Sequence, residues 1–220
     1  MTLPIDRIVS TLPSSLFRNF VEEMDAAFME AARFTEQKFD LPERRATLPQ
    51  VRHSLAERGF RSAATQAGLV AHAPDTEPLG GRYSLISHSG IFIIRGNIQK
   101  HCGLPRATSF RKEWAQMNEW LSPQQVDFFV DRPTPPPDRL CAMLVVTSGG
   151  KGSDPAAPAF VGMGVPDSAY STWLFLEPIN KIISRYHDLE TTAKAPKEAL
   201  IEIRDRAVPK LKRRDDKPNE

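Results

Sequence analysis

Near the start of the chain Phe17, Phe20, Met24, Phe28 and Ala31 recur at three- and four-residue steps. That spacing returns to one side of a helix and predicts an amphipathic helix over residues 13–39. Leu41-Pro42 should end it, because a proline ring pushes the residue before it out of the helical region. A second helix is expected over residues 48–58, stopped at Gly59, and a short helical turn over 61–67, ended by Gly68.

The pattern then changes period. Residues 82–87 and 91–95 gather β-branched and aromatic side chains around His88-Ser89-Gly90, which reads as a hairpin with a three-residue loop. Thr108 or Ser109 caps a helix to about Leu121, with Phe110, Trp114, Met117 and Leu121 on one stripe. Ser122-Pro123 opens a short helix through Phe129, and the proline-rich residues 131–139 form a stiff extended connector. A second hairpin joins residues 140–146 to 159–165. A strand over 170–176 follows, then a helix from Glu177-Pro178 to about His187. A last helix over 196–206 leads into a charged tail expected to be disordered.

Helices, then strands joined by hairpins, then helices again point to the α+β class. The expected architecture is a set of N-terminal helices followed by a mainly antiparallel sheet, with the helices segregated to one face. One domain spans residues 1–192, helical over 13–68 and mixed over 69–192, and 193–220 hold the C-terminal helix and tail. At 220 residues and 40% hydrophobic content the chain can bury a sizeable core. No apolar run reaches the roughly 18–20 residues of a membrane helix. Met-Thr-Leu-Pro-Ile-Asp-Arg lacks a secretory pattern, and two cysteines are too few for a disulfide framework. A cytoplasmic protein with no membrane partner is expected. The 19 prolines, with frequent alanine and arginine, suit a GC-rich bacterial source.

The net charge of +2 becomes informative once it is divided. Residues 210–220 carry five basic and three acidic side chains, which is the whole +2, so the remainder sums to zero. Within that remainder no Asp or Glu occurs from 78 through 112, while Arg82, Arg95, Lys100, Arg106, Arg111 and Lys112 do. The first long helix is tilted the other way, with Glu22, Glu23, Asp25, Glu30, Glu36 and Asp40 against Arg18, Arg33 and Lys38.

Gly149-Gly150-Lys151-Gly152-Ser153 invites comparison with a phosphate loop, but the template fails at two positions. Val145 stands where the first glycine must be, and Gly152 where the magnesium-binding hydroxyl must be. The stretch reads as a hairpin loop, with a looser role in lining a ligand pocket left open. His101-Cys102 are adjacent and Cys141 lies in an apolar strand, so no metal or cofactor is expected.

The leading reading is a non-enzymatic protein that engages a polyanion, nucleic acid first, or a protein partner. Arg95, Lys100, Arg106, Arg111 and Lys112 would supply the contacts, with Tyr83, Phe92, Phe110 and Trp114 as stacking faces. Those aromatics also fall on expected core faces, and the acidic helix could match the basic segment inside the fold. The order of three helices and a hairpin also resembles a winged-helix unit, with 61–67 as a short recognition helix. The second reading is a small hydrolase or nuclease with a pocket near His88, Asp154 and Asp167, although His88 is better explained as a turn residue. A monomer or weak homodimer is expected, the apolar face of the first long helix covering its own sheet. A third reading has that face mediate assembly.

Overall fold

Prolines set the starts of the N-terminal helices. Helix α1 (Pro4–Thr11) begins on proline, α2 (Ser14–Lys38) follows Pro13, and α3 (Leu41–Gln66) carries Pro42 in its first turn. A first-turn proline forfeits only an N–H that would have no helical partner anyway. The computed structural model describes residues 3–77, 79–99, 103–121, 139–150 and 152–194, with 190–194 as backbone. The helix expected over 122–129, the connector over 131–138, the helix over 196–206 and the tail lie outside these residues.

Helix α2 ends beside Leu41-Pro42 as its sequence implies, and its stripe of Phe17, Phe20, Met24, Phe28 and Ala31 is buried. Helix α1 was not anticipated; Ile5, Ile8 and Val9 bury its inner face. The pieces expected at 48–58 and 61–67 are one helix, α3, which runs through Pro49 and Gly59. Gly59 does not stop it, because this glycine sits where α3 crosses α2. A Cβ there would lie 3.2 Å from Glu23 Cβ, Glu23 O and Met24 Cε. Close approach lets Phe60 meet Phe20 edge-on at 6.0 Å. That packing offsets the roughly 1 kcal/mol a mid-helix glycine costs relative to alanine. Residues 61–67 are therefore the packed end of a long helix, with Ser62 and Gln66 donating to Glu23, and not a separate recognition helix.

Among the described residues six strands form one sheet in chain order: β1 (Ala71–His72), β2 (Leu85–His88), β3 (Ile91–Asn97), β4 (Leu140–Thr147), β5 (Phe160–Pro166) and β6 (Trp173–Pro178). Neighbours are antiparallel except β3 and β4, which run parallel. The β2–β3 hairpin turns on two residues, Ser89 and Gly90, both at positive φ, with His88 paired to Ile91. Left-handed backbone at both positions matches the twist of the flanking strands. Strand β6 starts later than expected because Tyr170 takes φ 55° and belongs to the turn before it.

The parallel pair requires a crossover, which includes α4 (Ser109–Gln116) and a 3-10 turn, Glu119–Leu121. Alternate residues of β4 face opposite ways. Leu140, Ala142, Leu144 and Val146 join Ile91 and Ile93 in the core under α1, α2, α3 and α5 (Ile179–Lys194). Met143 and Val145 join Leu85, Ile94 and Ala115 of α4 on the other face. The fold is α+β and mostly antiparallel. Most of its helices share one face, and α4 covers the opposite one. Met1–Tyr186 form one compact unit; of the second, His187–Glu220, the described part is the last turns of α5. No helix among the described residues is long and apolar enough to cross a membrane.

Candidate anion-binding cleft

Parallel neighbours deliver both of their C-terminal ends to the same edge of the sheet, where the chain must splay apart and leave a crevice. Asn97, Ile98 and Gln99 come off β3 there, and Thr147, Ser148 and Gly149 come off β4. Helix α3 supplies Arg52, α2 supplies Phe28, and the chain returning toward α4 supplies Leu104 and Arg106. Together they enclose a cleft of about 740 Å³. That is the size of a small-molecule site.

Both loops that wall the cleft are fastened to the sheet. Gly96 allows one attachment, since a Cβ there would overlap the Pro105 ring and lie 3.0 Å from Met143 Cε. The Tyr170 hydroxyl donates to Pro105 O at 3.1 Å, Trp173 Nε1 to Gly103 O at 3.2 Å, and Arg111 Nη1 to Arg106 O at 2.8 Å. Burial pushes the Tyr170 phenol up to about 12, which keeps that donor protonated. Across the cleft Gly149 takes φ 73°, and a side chain there would strike Ser153 and Ala159. Asp154 caps the same loop by accepting from Ala156 N at 2.8 Å. The loop is thus a hairpin connection that lines a pocket, with no phosphate-loop geometry.

The electrostatics are one-sided. Arg52 lies 4.4 Å over the Phe28 ring and donates through Nη2 to Pro155 O at 2.7 Å, while its Nε is buried without a partner. Burial lowers its pKa, as expected of a guanidinium drawn partly from water. The Arg106 side chain is exposed and has no hydrogen-bond or ion-pair partner among the described residues. Among the described residues no Asp or Glu lines the cleft.

Behind the cleft sits a polar cluster around the buried Arg95, with Glu57 half-buried and His53 and Asn97 exposed at its margin. Strand alternation sends Ile91, Ile93, Arg95 and Asn97 to one side, so Arg95 faces α3. Its Nε donates to Glu57 Oε1 at 2.9 Å, Nη1 to Asn97 Oδ1 at 2.6 Å, and Nη2 meets His53 Nδ1 at 2.8 Å. A guanidinium only donates, so that ring nitrogen accepts and His53 is neutral. Burial, then the Arg95 charge, lower the His53 pKa. For Glu57 burial acts upward, but the Arg95 charge and the hydrogen bonds from Ser84 and Arg95 outweigh it and hold the carboxyl below its usual range. Burial also lowers the pKa of Arg111, on which Arg95 and Glu57 both act.

Of the cations singled out in the sequence, Arg106 lines the cleft and Arg111 braces its wall. Arg95 is not an exposed contact: it is buried and paired with Glu57, because its strand position faces a helix. Lys112 is exposed on α4, and Lys100 lies outside the described residues, as do His101 and Cys102. The aromatics are committed to the second core rather than free to stack bases. Tyr83 stacks on Phe110 at 4.2 Å, and Phe92 meets Trp114 at 5.0 Å.

His88, Asp154 and Asp167 are not brought together. His88 and Asp167 lie toward the edge where β4 begins, whereas Asp154 lies beyond the end of β4. At about 3.3 Å per residue the strand puts roughly 20 Å between the two edges. The Asp167 carboxylate is already taken by Ser171 N, Ser171 Oγ and Thr172 N. Among the described residues no group of three or more His, Cys, Asp or Glu could hold a metal ion. Arg52 and Asn97 were missed by charge counting, since one sits in an ordinary helix and the other is neutral. Compared with protein-family models, curated proteins and solved structures, the chain matches none.

Proposed function

We propose that this protein binds a phosphate-bearing ligand in the cleft at the C-terminal ends of β3 and β4. A mononucleotide is the smaller form of that ligand and a nucleic-acid strand its polyanionic form. The observation that carries the reading is the lining itself: Arg52 and Arg106, with no carboxylate among the described lining residues to neutralise them. Arg52 adds weight because it is partly desolvated and its hydrogen bond goes to a carbonyl, leaving its charge to be matched by an incoming anion. Binding is favoured over turnover, since the described lining offers donors and no carboxylate, imidazole or thiol to act as a base.

The test is a titration with a fluorescent nucleoside triphosphate and with labelled single- and double-stranded oligonucleotides at two salt concentrations. Binding should weaken with salt, and Arg106→Ala should reduce affinity about tenfold while leaving the melt unchanged. The salt slope separates the two forms, being steep only where several phosphates are engaged. No binding to any of these probes at low salt refutes the proposal.

A further inference from the structure

We infer that Asn97 is a neutral recognition donor for the ligand's phosphate, and that Arg95 is the positioning residue that aims it. This rests on the reading of the cleft as a phosphate site. An asparagine amide can present either its oxygen or its nitrogen to a neighbour, and the choice normally follows the surroundings. Here the neighbour is a guanidinium, which has donors and no acceptor, so the amide must turn Oδ1 toward Arg95. Nδ2 is left without a protein partner among the described residues, on an exposed residue that lines the cleft.

Arg95 is itself fixed. Glu57 holds Nε, His53 holds Nη2, and its side chain is only 1% exposed. The buried charge therefore does not touch the ligand. It converts an ambidextrous amide into a donor, and it places that donor on the cleft shared with Arg52 and Arg106. An oxyanion with several acceptor oxygens, such as a phosphate or pyrophosphate group, satisfies such a set.

The experiment is calorimetric titration of the full chain with inorganic pyrophosphate at low salt. Asn97→Ala should weaken binding about tenfold, the loss of one hydrogen bond to a charged group. Asn97→Asp should be the more telling variant. The new carboxylate still accepts from Arg95, so the melting temperature holds or rises, but it now faces the anion and should abolish detectable binding. The paired replacement of Arg95 and Glu57 by Met removes both buried charges together and frees the amide to rotate. Affinity should then fall about as far as in Asn97→Ala, and adding Asn97→Ala to the pair should cost little more. The Asn97 variants decide the matter if that pair fails to fold. If they bind pyrophosphate as the wild type does while Arg106→Ala weakens it, the inference falls and the cleft reading stands. If the wild type binds no pyrophosphate, the inference falls and the cleft reading rests on the nucleotide and oligonucleotide titrations.

Discussion

Glu57→Ala tests the cluster around Arg95 most directly. The Glu57 side chain is 14% exposed and its partner Arg95 1%, so removing the carboxylate strands a guanidinium with no counter-charge and little water. Breaking a buried pair in this way costs about 3–5 kcal/mol. The Ser84 N–H, which donates to Glu57 Oε2 at 3.1 Å, loses its acceptor in the same step. For a chain of this length each kcal/mol shifts the melting temperature by about 2–4 °C, so a drop of roughly 6–20 °C is expected. Glu57→Gln keeps an acceptor for Arg95 and should cost less, about 2 kcal/mol. Met at both positions should recover most of the loss, because packed apolar side chains replace a buried pair at little cost. Urea unfolding at pH 7, followed by tryptophan fluorescence with the slope monitored, supplies the free energies. The pH dependence adds a signature. Glu57 is held below its unfolded pKa, so its stabilisation is present above about pH 4.3 and is lost as pH falls through the folded value. The gap between wild type and Glu57→Gln should therefore close in acid. A loss under about 1 kcal/mol from Glu57→Ala, with unchanged slope, would mean the pair behaves like a surface contact and would refute the reasoning.

Gly96→Val should displace the Pro105 ring and the Arg106 wall, destabilising by about 1–3 kcal/mol and weakening phosphate binding together, in melts and titrations of the same sample. His53, whose pKa is lowered in the fold, makes stability fall as pH drops below about 6.5, because the unfolded chain takes up the proton first. His53→Gln should flatten that limb in urea titrations between pH 7 and 5, and an unchanged limb would remove His53 from the account. Phe20→Glu puts a charge into a fully buried site and should unfold the protein. A folded monomer from that variant would show that the α2 face belongs to a dimer instead.

Local physics made much of this protein readable from its residues. The stripe from Phe17 to Ala31, the break at Leu41-Pro42 and the alternation around Ser89-Gly90 each depend on neighbours a few positions away. Turn, proline and periodicity rules act at that range. The continuous apolar run of β4 fits a strand buried on both faces, but its parallel pairing with β3 was not read from it.

Decisions at long range were made only by the tertiary structure. Gly59 looks like a helix stop until α2 lies against it so closely that a Cβ would sit 3.2 Å from Glu23 and Met24. Arg95 counts as a cation of the acid-free segment until the sheet turns it toward Glu57, 38 residues earlier in the chain, and a binding charge becomes a buried one. Arg52 and Arg106 belong to segments with nothing in common in composition. They meet because β3 and β4 run parallel and open their ends on the same side. Charge counted along a chain cannot anticipate this, since an electrostatic field follows distance in space, and that distance exists only once the strands have paired.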